Sequence, residues 1–84
     1  MLVTAVESSV LAALAYDHLT QCLWLEFRNG AVYRYLGVSS VLYQRLLAAP
    51  SKGTYFNRHV RGQFAYQKQP PLEQAPLPRA KIPH

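Results

Sequence analysis

The stretch CLWLEFRNGAVYRYL, Cys22 to Leu36, decides the fold. Two runs rich in aromatic and branched residues flank Asn29-Gly30, the strongest short-range marker of a β-hairpin. Two registers are open. A two-residue turn pairs Phe27 with Val32 and places Arg34 on the face of Leu23, Leu25 and Phe27. A three-residue turn, Arg28-Asn29-Gly30 with Gly30 left-handed in a bulge, pairs Phe27 with Ala31 and aligns Leu23, Leu25 and Phe27 with Tyr33 and Tyr35. The bulged register is preferred because it keeps Arg34 off the apolar face, and a slip of one residue would send every side chain to the wrong side. Trp24, Val32 and Leu36 then share the second face with Cys22, Glu26 and Arg34. That face is too apolar to be wholly exposed.

Working downstream, VSSVLYQRLLAAP reads as a helix. Ser39 is the N-cap, Val38 staples against Tyr43, and Pro50 stops it. Leu42, Leu46 and Ala49 follow a helical stripe that needs a sheet to pack on. SKGTYFNRHVRGQFAY reads as a second short helix, capped by Ser51 or Thr54, with Phe56, Val60 and Phe64 as its buried side. Thr54, Arg58 and Arg61 lie on another side, and Lys52 extends them into a basic edge. Upstream, SSVLAALAYD is ambiguous between helix and strand: its Ala and Leu content favours the first, its closing turn the second. After Lys68 come five of the six prolines with no apolar periodicity, so residues 1–68 are read as one domain and 69–84 as a disordered Pro-rich tail.

Bulk properties narrow the function classes. Eighty-four residues, half of them hydrophobic, suffice for a single core. The longest apolar run, Val10 to Tyr16, is far below the roughly 20 residues needed to cross a bilayer, so no membrane partner is expected. Glu7 lies where a signal peptide carries positive charge, and no Lys or Arg precedes Arg28. The lone Cys22 suits a reducing compartment, and cytoplasm is the expected location.

The net charge of +5 is unevenly spread. Residues 28 to 72 carry Arg28, Arg34, Arg45, Lys52, Arg58, Arg61 and Lys68 and no acid. Either these bases reach the acids of the first 27 residues or some of them face an anion. Nucleophilic catalysis would need Cys22 or a serine beside an oriented histidine, and His18 and His59 offer no such arrangement. No metal-ligand spacing and no paired carboxylates occur. No enzyme, metal or cofactor is therefore expected. SKGT at a helix start has the parts of a phosphate cradle without the full nucleotide-binding pattern; it reads more readily as a capped helix with an incidental lysine.

The segments SSV, YD, LWLEFRNGAVYRYLGV and SKGTYFNRHVRGQF resemble, in that order, the KTSC domain, a short bacterial domain named for its place at the C-terminus of some lysyl-tRNA synthetases. The resemblance spans roughly residues 6 to 66. Its marks are a central YxY, here Tyr33-Arg34-Tyr35, and an SxGxYFN-type stretch, here Ser51 to Asn57. Ala15 stands where the family pattern has glycine, and Phe64-Ala65 where tyrosine and proline are common. The resemblance implies that the N-terminal run is a strand. The expected fold is α+β: a three-stranded antiparallel β-meander followed by two short helices packed on one face. It also implies RNA, as tRNA or a single strand, as the partner to consider.

RNA binding draws on the basic edge: Arg34, Lys52, Tyr55, Asn57, Arg58 and Arg61 are the candidate residues. Tyr33 and Tyr35 share one strand face and Arg34 points to the other. Both helices need the face of Leu23, Leu25 and Phe27, so Tyr33, Tyr35 and Phe56 are read as structural; an open face would instead let the tyrosines stack bases. The alternative from another class is a protein-interaction or homodimerisation module that uses Trp24, Val32 and Leu36 as an apolar patch.

Overall fold

The computed structural model describes residues 3–70. Five strands form one antiparallel sheet in chain order: β1 (Val3–Ala5), β2 (Leu11–Asp17), β3 (Cys22–Phe27), β4 (Val32–Tyr35) and β5 (Tyr66–Gln69). Two helices, α1 (Ser40–Ala48) and α2 (Lys52–His59), lie between β4 and β5 in the chain. The fold is α+β, with two more strands than the meander expected from sequence. The outermost strands were hidden for physical reasons. β1 is only three residues long, and β5, YQKQ, has no apolar alternation because three of its residues are exposed. Gln69 pairs with Val32, so the sheet runs one residue past the expected domain end. The remainder of the expected tail, from residue 71, lies outside the described residues.

The hairpin takes the bulged register. Gly30 has φ 91°, the Phe27 amide donates to the Ala31 carbonyl at 2.8 Å, and Leu25 sits opposite Tyr33. Asn29 adds a side-chain turn by accepting from the Ala31 amide. Leu14 and Tyr16 of β2, Leu23 and Leu25 of β3 and Tyr35 of β4 therefore face the helices. There they meet Tyr43 and Leu46 of α1 and Phe56 and Val60 at α2 in one buried cluster. The register between β2 and β3 shifts between Leu11 and Ala13, with Ala12 as the extra residue. This bulge lets Leu11 and Leu14, three apart, both be buried in the same cluster. It settles the N-terminal run as a strand.

Capping fixes where the helices begin. Ser39 accepts from the Leu42 amide, and Ser51 from the Thr54 amide. Gly53 is buried because α2 closes on the loop before β2: a Cβ there would stand 3.0 Å from Val10 Cγ2. Arg28 is tied to the same loop by donating to the Ser8 and Val6 carbonyls.

The second sheet face is closed. Ala13, Ala15, Cys22, Trp24 and Val32 form a separate buried cluster, with Val3 and Leu36 packed against it. Of the patch proposed for a partner, Trp24 is 9% exposed, Val32 is fully buried and Leu36 is half-buried.

Candidate nucleic-acid interface

A cleft of about 380 Å³ opens between the helix-facing side of β4 and β5 and the end of α2. Its walls are aromatic. Tyr35 and Phe56 are buried, Phe27 and Tyr33 are half-buried, and Tyr66 is 58% exposed at the mouth. The rings touch one another in sequence. Phe27 meets Phe56 and Tyr33 edge-on at 5.4 and 5.8 Å, Tyr35 meets Phe56 at 5.7 Å, and Tyr66 bridges Tyr33 and Tyr35 at 5.5 Å from each. Edge-to-face pairing of this kind holds rings rigidly while leaving some faces unpaired.

Two polar residues of α2 and the turn after it complete the lining. Asn57 and Arg61 are four residues apart and both exposed; Arg61 donates to the Asn57 side chain at 3.5 Å, the limit of a hydrogen bond. Gly62, with φ 75°, turns the chain back toward β5 directly after Arg61. No Asp or Glu is among the described residues lining the cleft. Burial, followed by the neighbouring Tyr66 and Tyr33, raises the Tyr35 phenol above its usual value, and Arg61 partly offsets this. At neutral pH Tyr35 is a protonated hydroxyl that can donate or accept.

The sequence-predicted residues divide into two groups. Asn57, Arg58 and Arg61 gather at the end of α2, and Asn57 and Arg61 share the cleft with Tyr33, Tyr35 and Phe56. The family tyrosines are thus both packing residues and cleft walls. The others do not join them. Arg34 lies on the opposite sheet face, donating to Gln67 and standing 5.9 Å over the Trp24 ring. Lys52 donates to the Ala49 carbonyl at 3.1 Å, holding the end of α1. Tyr55 packs against His59, with ring centres 4.3 Å apart and planes tilted by 37°, and is not among the residues lining the cleft. With Lys52 so engaged and Gly53 packed on Val10, SKGT works as a cap and a close contact.

Neither Tyr66 nor Lys68 was among the candidate residues: the stretch ending at Tyr66 reads as helix from the sequence, whereas α2 ends at His59 and Tyr66 opens β5. β5 pairs Tyr66 with Tyr35 and Lys68 with Tyr33, so both lie on the cleft side of the sheet and both are exposed. Their i, i+2 spacing was the one available signal, masked by a run otherwise made of glutamines. Arg61 is the cation that lines the cleft among the described residues; Arg58 is exposed in the last turn of α2, and Lys68 is exposed on the cleft side of the sheet.

The model of the KTSC domain matches residues 7–64. A KTSC domain protein of Yersinia pestis has a crystal structure similar to this one, with TM-score 0.78 and 33% identity over 80% of this chain and 94% of that one. The chain is also similar to the lysine–tRNA ligase of Nostoc sp., 42% identical over 62 residues, which are 74% of this chain and 11% of the ligase. It therefore spans about a tenth of that relative's length. A protein of Stutzerimonas stutzeri is 46% identical over 54 residues, 64% of this chain and 76% of its own. Among the described residues no helix is long and apolar enough to cross a membrane.

Proposed function

The chain belongs to the KTSC domain family, and from that footing we propose that it is a small, non-catalytic cytoplasmic module that binds single-stranded RNA or unpaired stretches of tRNA through the end of α2. The observation that carries this reading is Arg61 in a cleft whose described lining holds no acid, with Arg58 exposed at the end of α2 and Lys68 exposed on the same face of the sheet. Phosphate is the anion such a surface suits, because guanidinium groups can grip it in a bidentate manner. Rings close by supply the second half of single-strand recognition, since sequence-tolerant binding joins backbone charge to aromatic platforms. The ligases that contain a similar segment are named for tRNA, which agrees in kind with this partner.

The test is an anisotropy titration of labelled single-stranded RNA and of tRNA against the wild type and Arg58→Ala/Arg61→Ala, each at two salt concentrations. Each phosphate neutralised on a single strand contributes about −0.7 to the slope of log affinity against log salt. The double variant is expected to bind about tenfold or more weakly at low salt, with a slope shallower by about 1.4. Both substitutions are at exposed positions, so the fold should persist. Equal affinity in the variant, or no binding by the wild type at low salt, would end the reading.

A further inference from the structure

We propose that the cleft between β5 and α2 holds one unpaired nucleobase together with its own phosphate: the base lies against Tyr66 and the phosphate is gripped by Arg61. The inference deepens the RNA-binding reading and rests on it for its biological source.

Three features of the cleft select this ligand. Its volume, about 380 Å³, is at the small end of pockets that enclose small molecules, which suits a single nucleotide and excludes a base pair or a stacked run. Tyr66, 58% exposed, offers a ring to solvent at the mouth while Tyr33 and Tyr35 support it from behind. A flat heteroaromatic ring placed there gains a stacking surface already held in position, so little ordering entropy is lost on binding. The polar groups are asymmetric. Arg61 is the only cation lining the cleft among the described residues, and Asn57 beside it has an amide with both a donor and an acceptor. A ligand with a flat, hydrogen-bonding aromatic body and one adjacent anion matches this set, and a nucleoside monophosphate unit has that composition. A purely aliphatic ligand would leave Asn57 unused, and a cationic one would meet Arg61.

The test compares full-length wild type with Tyr66→Ala and Tyr66→Phe. The probes are a short single-stranded RNA, an abasic strand with the same sugar-phosphate backbone, and AMP alone. The expected result is that the abasic strand binds about tenfold more weakly than the RNA. Tyr66→Ala should lose about tenfold for the RNA and nothing for the abasic strand, and Tyr66→Phe should keep wild-type affinity. Urea midpoints of both variants would show whether β5 remains folded. If Tyr66→Ala unfolds, ring-proton shifts of Tyr66 and Phe56 in the wild type with AMP replace it, and movement of both is the supporting result. Equal affinity for the abasic strand and the RNA would overturn the cleft inference and leave the RNA reading standing. If no strand binds but AMP moves the Tyr66 and Phe56 rings, the cleft holds a free nucleotide and the RNA reading falls. No binding of any probe ends both.

Discussion

Leu25→Ala is expected to remove about half of the stability of this chain. Leu25 is fully buried at the centre of the sheet, opposite Leu14 on one side and Tyr33 on the other. Truncating a buried leucine costs about 2–5 kcal/mol, because transfer energy is lost and the cavity closes only in part. A chain of 84 residues has roughly 4–13 kcal/mol in total, at about 0.05–0.15 per residue. The urea midpoint should fall by about 2 M or more, given a slope near 1 kcal/mol per molar for so small a domain. Leu19→Ala is the control: Leu19 is 95% exposed in the β2–β3 turn and its loss should shift stability by less than about 0.5 kcal/mol. Similar midpoints for the two variants would mean that Leu25 does not occupy the core face, and the hairpin register would fall with it.

Tyr16→Phe should cost about 1–3 kcal/mol at neutral pH, although the ring is kept. The Tyr16 hydroxyl donates to the Val38 carbonyl at 2.5 Å in a buried position, tying β2 to the loop that leads into α1. Phenylalanine preserves the stack on Tyr43, where the centroids are 4.5 Å apart, but leaves that carbonyl buried without its partner. The same residue sets an alkaline limit. Burial first, then the neighbouring Cys22 and Asp17, raise the Tyr16 phenol above its usual value, and burial does the same for Tyr35 and Tyr43. A phenol raised in the folded state contributes fully below its unfolded value of about 10, and that contribution is lost as pH climbs through the folded value. Wild-type stability is therefore expected to fall above pH 10, and Tyr16→Phe to fall less over the same interval. Urea midpoints at neutral pH and in steps above pH 10 would check both effects. Parallel curves would remove Tyr16 as a contributor to the alkaline loss.

Local chemistry was the part of the fold most legible in the sequence. Asn29-Gly30 and the clash of Arg34 with an apolar face were enough to choose the bulged hairpin; Ser39 marked the start of α1, and Ser51, one of two candidates with Thr54, caps α2. Legibility failed where a side-chain pattern was broken or absent. The extra residue Ala12 interrupts the alternation of β2, so spacing could not overrule the Ala and Leu content that favours a helix. β5 has no apolar pattern, because it is an edge of the sheet and its contribution is a ladder of backbone hydrogen bonds to β4. Missing β5 also hid the cleft. Without Tyr66 opposite Tyr35, the family tyrosines have only the helices to face and read as core; with it, they become the walls of an open site. Strand periodicity did correctly separate Arg34 from the tyrosines on either side, since it lies over Trp24 on the closed face.

The claim that RNA meets this domain at the end of α2 is tested most directly by amide and side-chain NMR shifts. The isotope-labelled chain would be titrated with a short single-stranded RNA at low salt. Perturbations are expected to concentrate on Asn57, Arg58, Arg61, Gly62, Tyr66 and Lys68, and to fade as salt is raised. Shifts centred on Trp24, Arg34 and Leu36, or none at any salt concentration, would place the binding surface elsewhere or remove it.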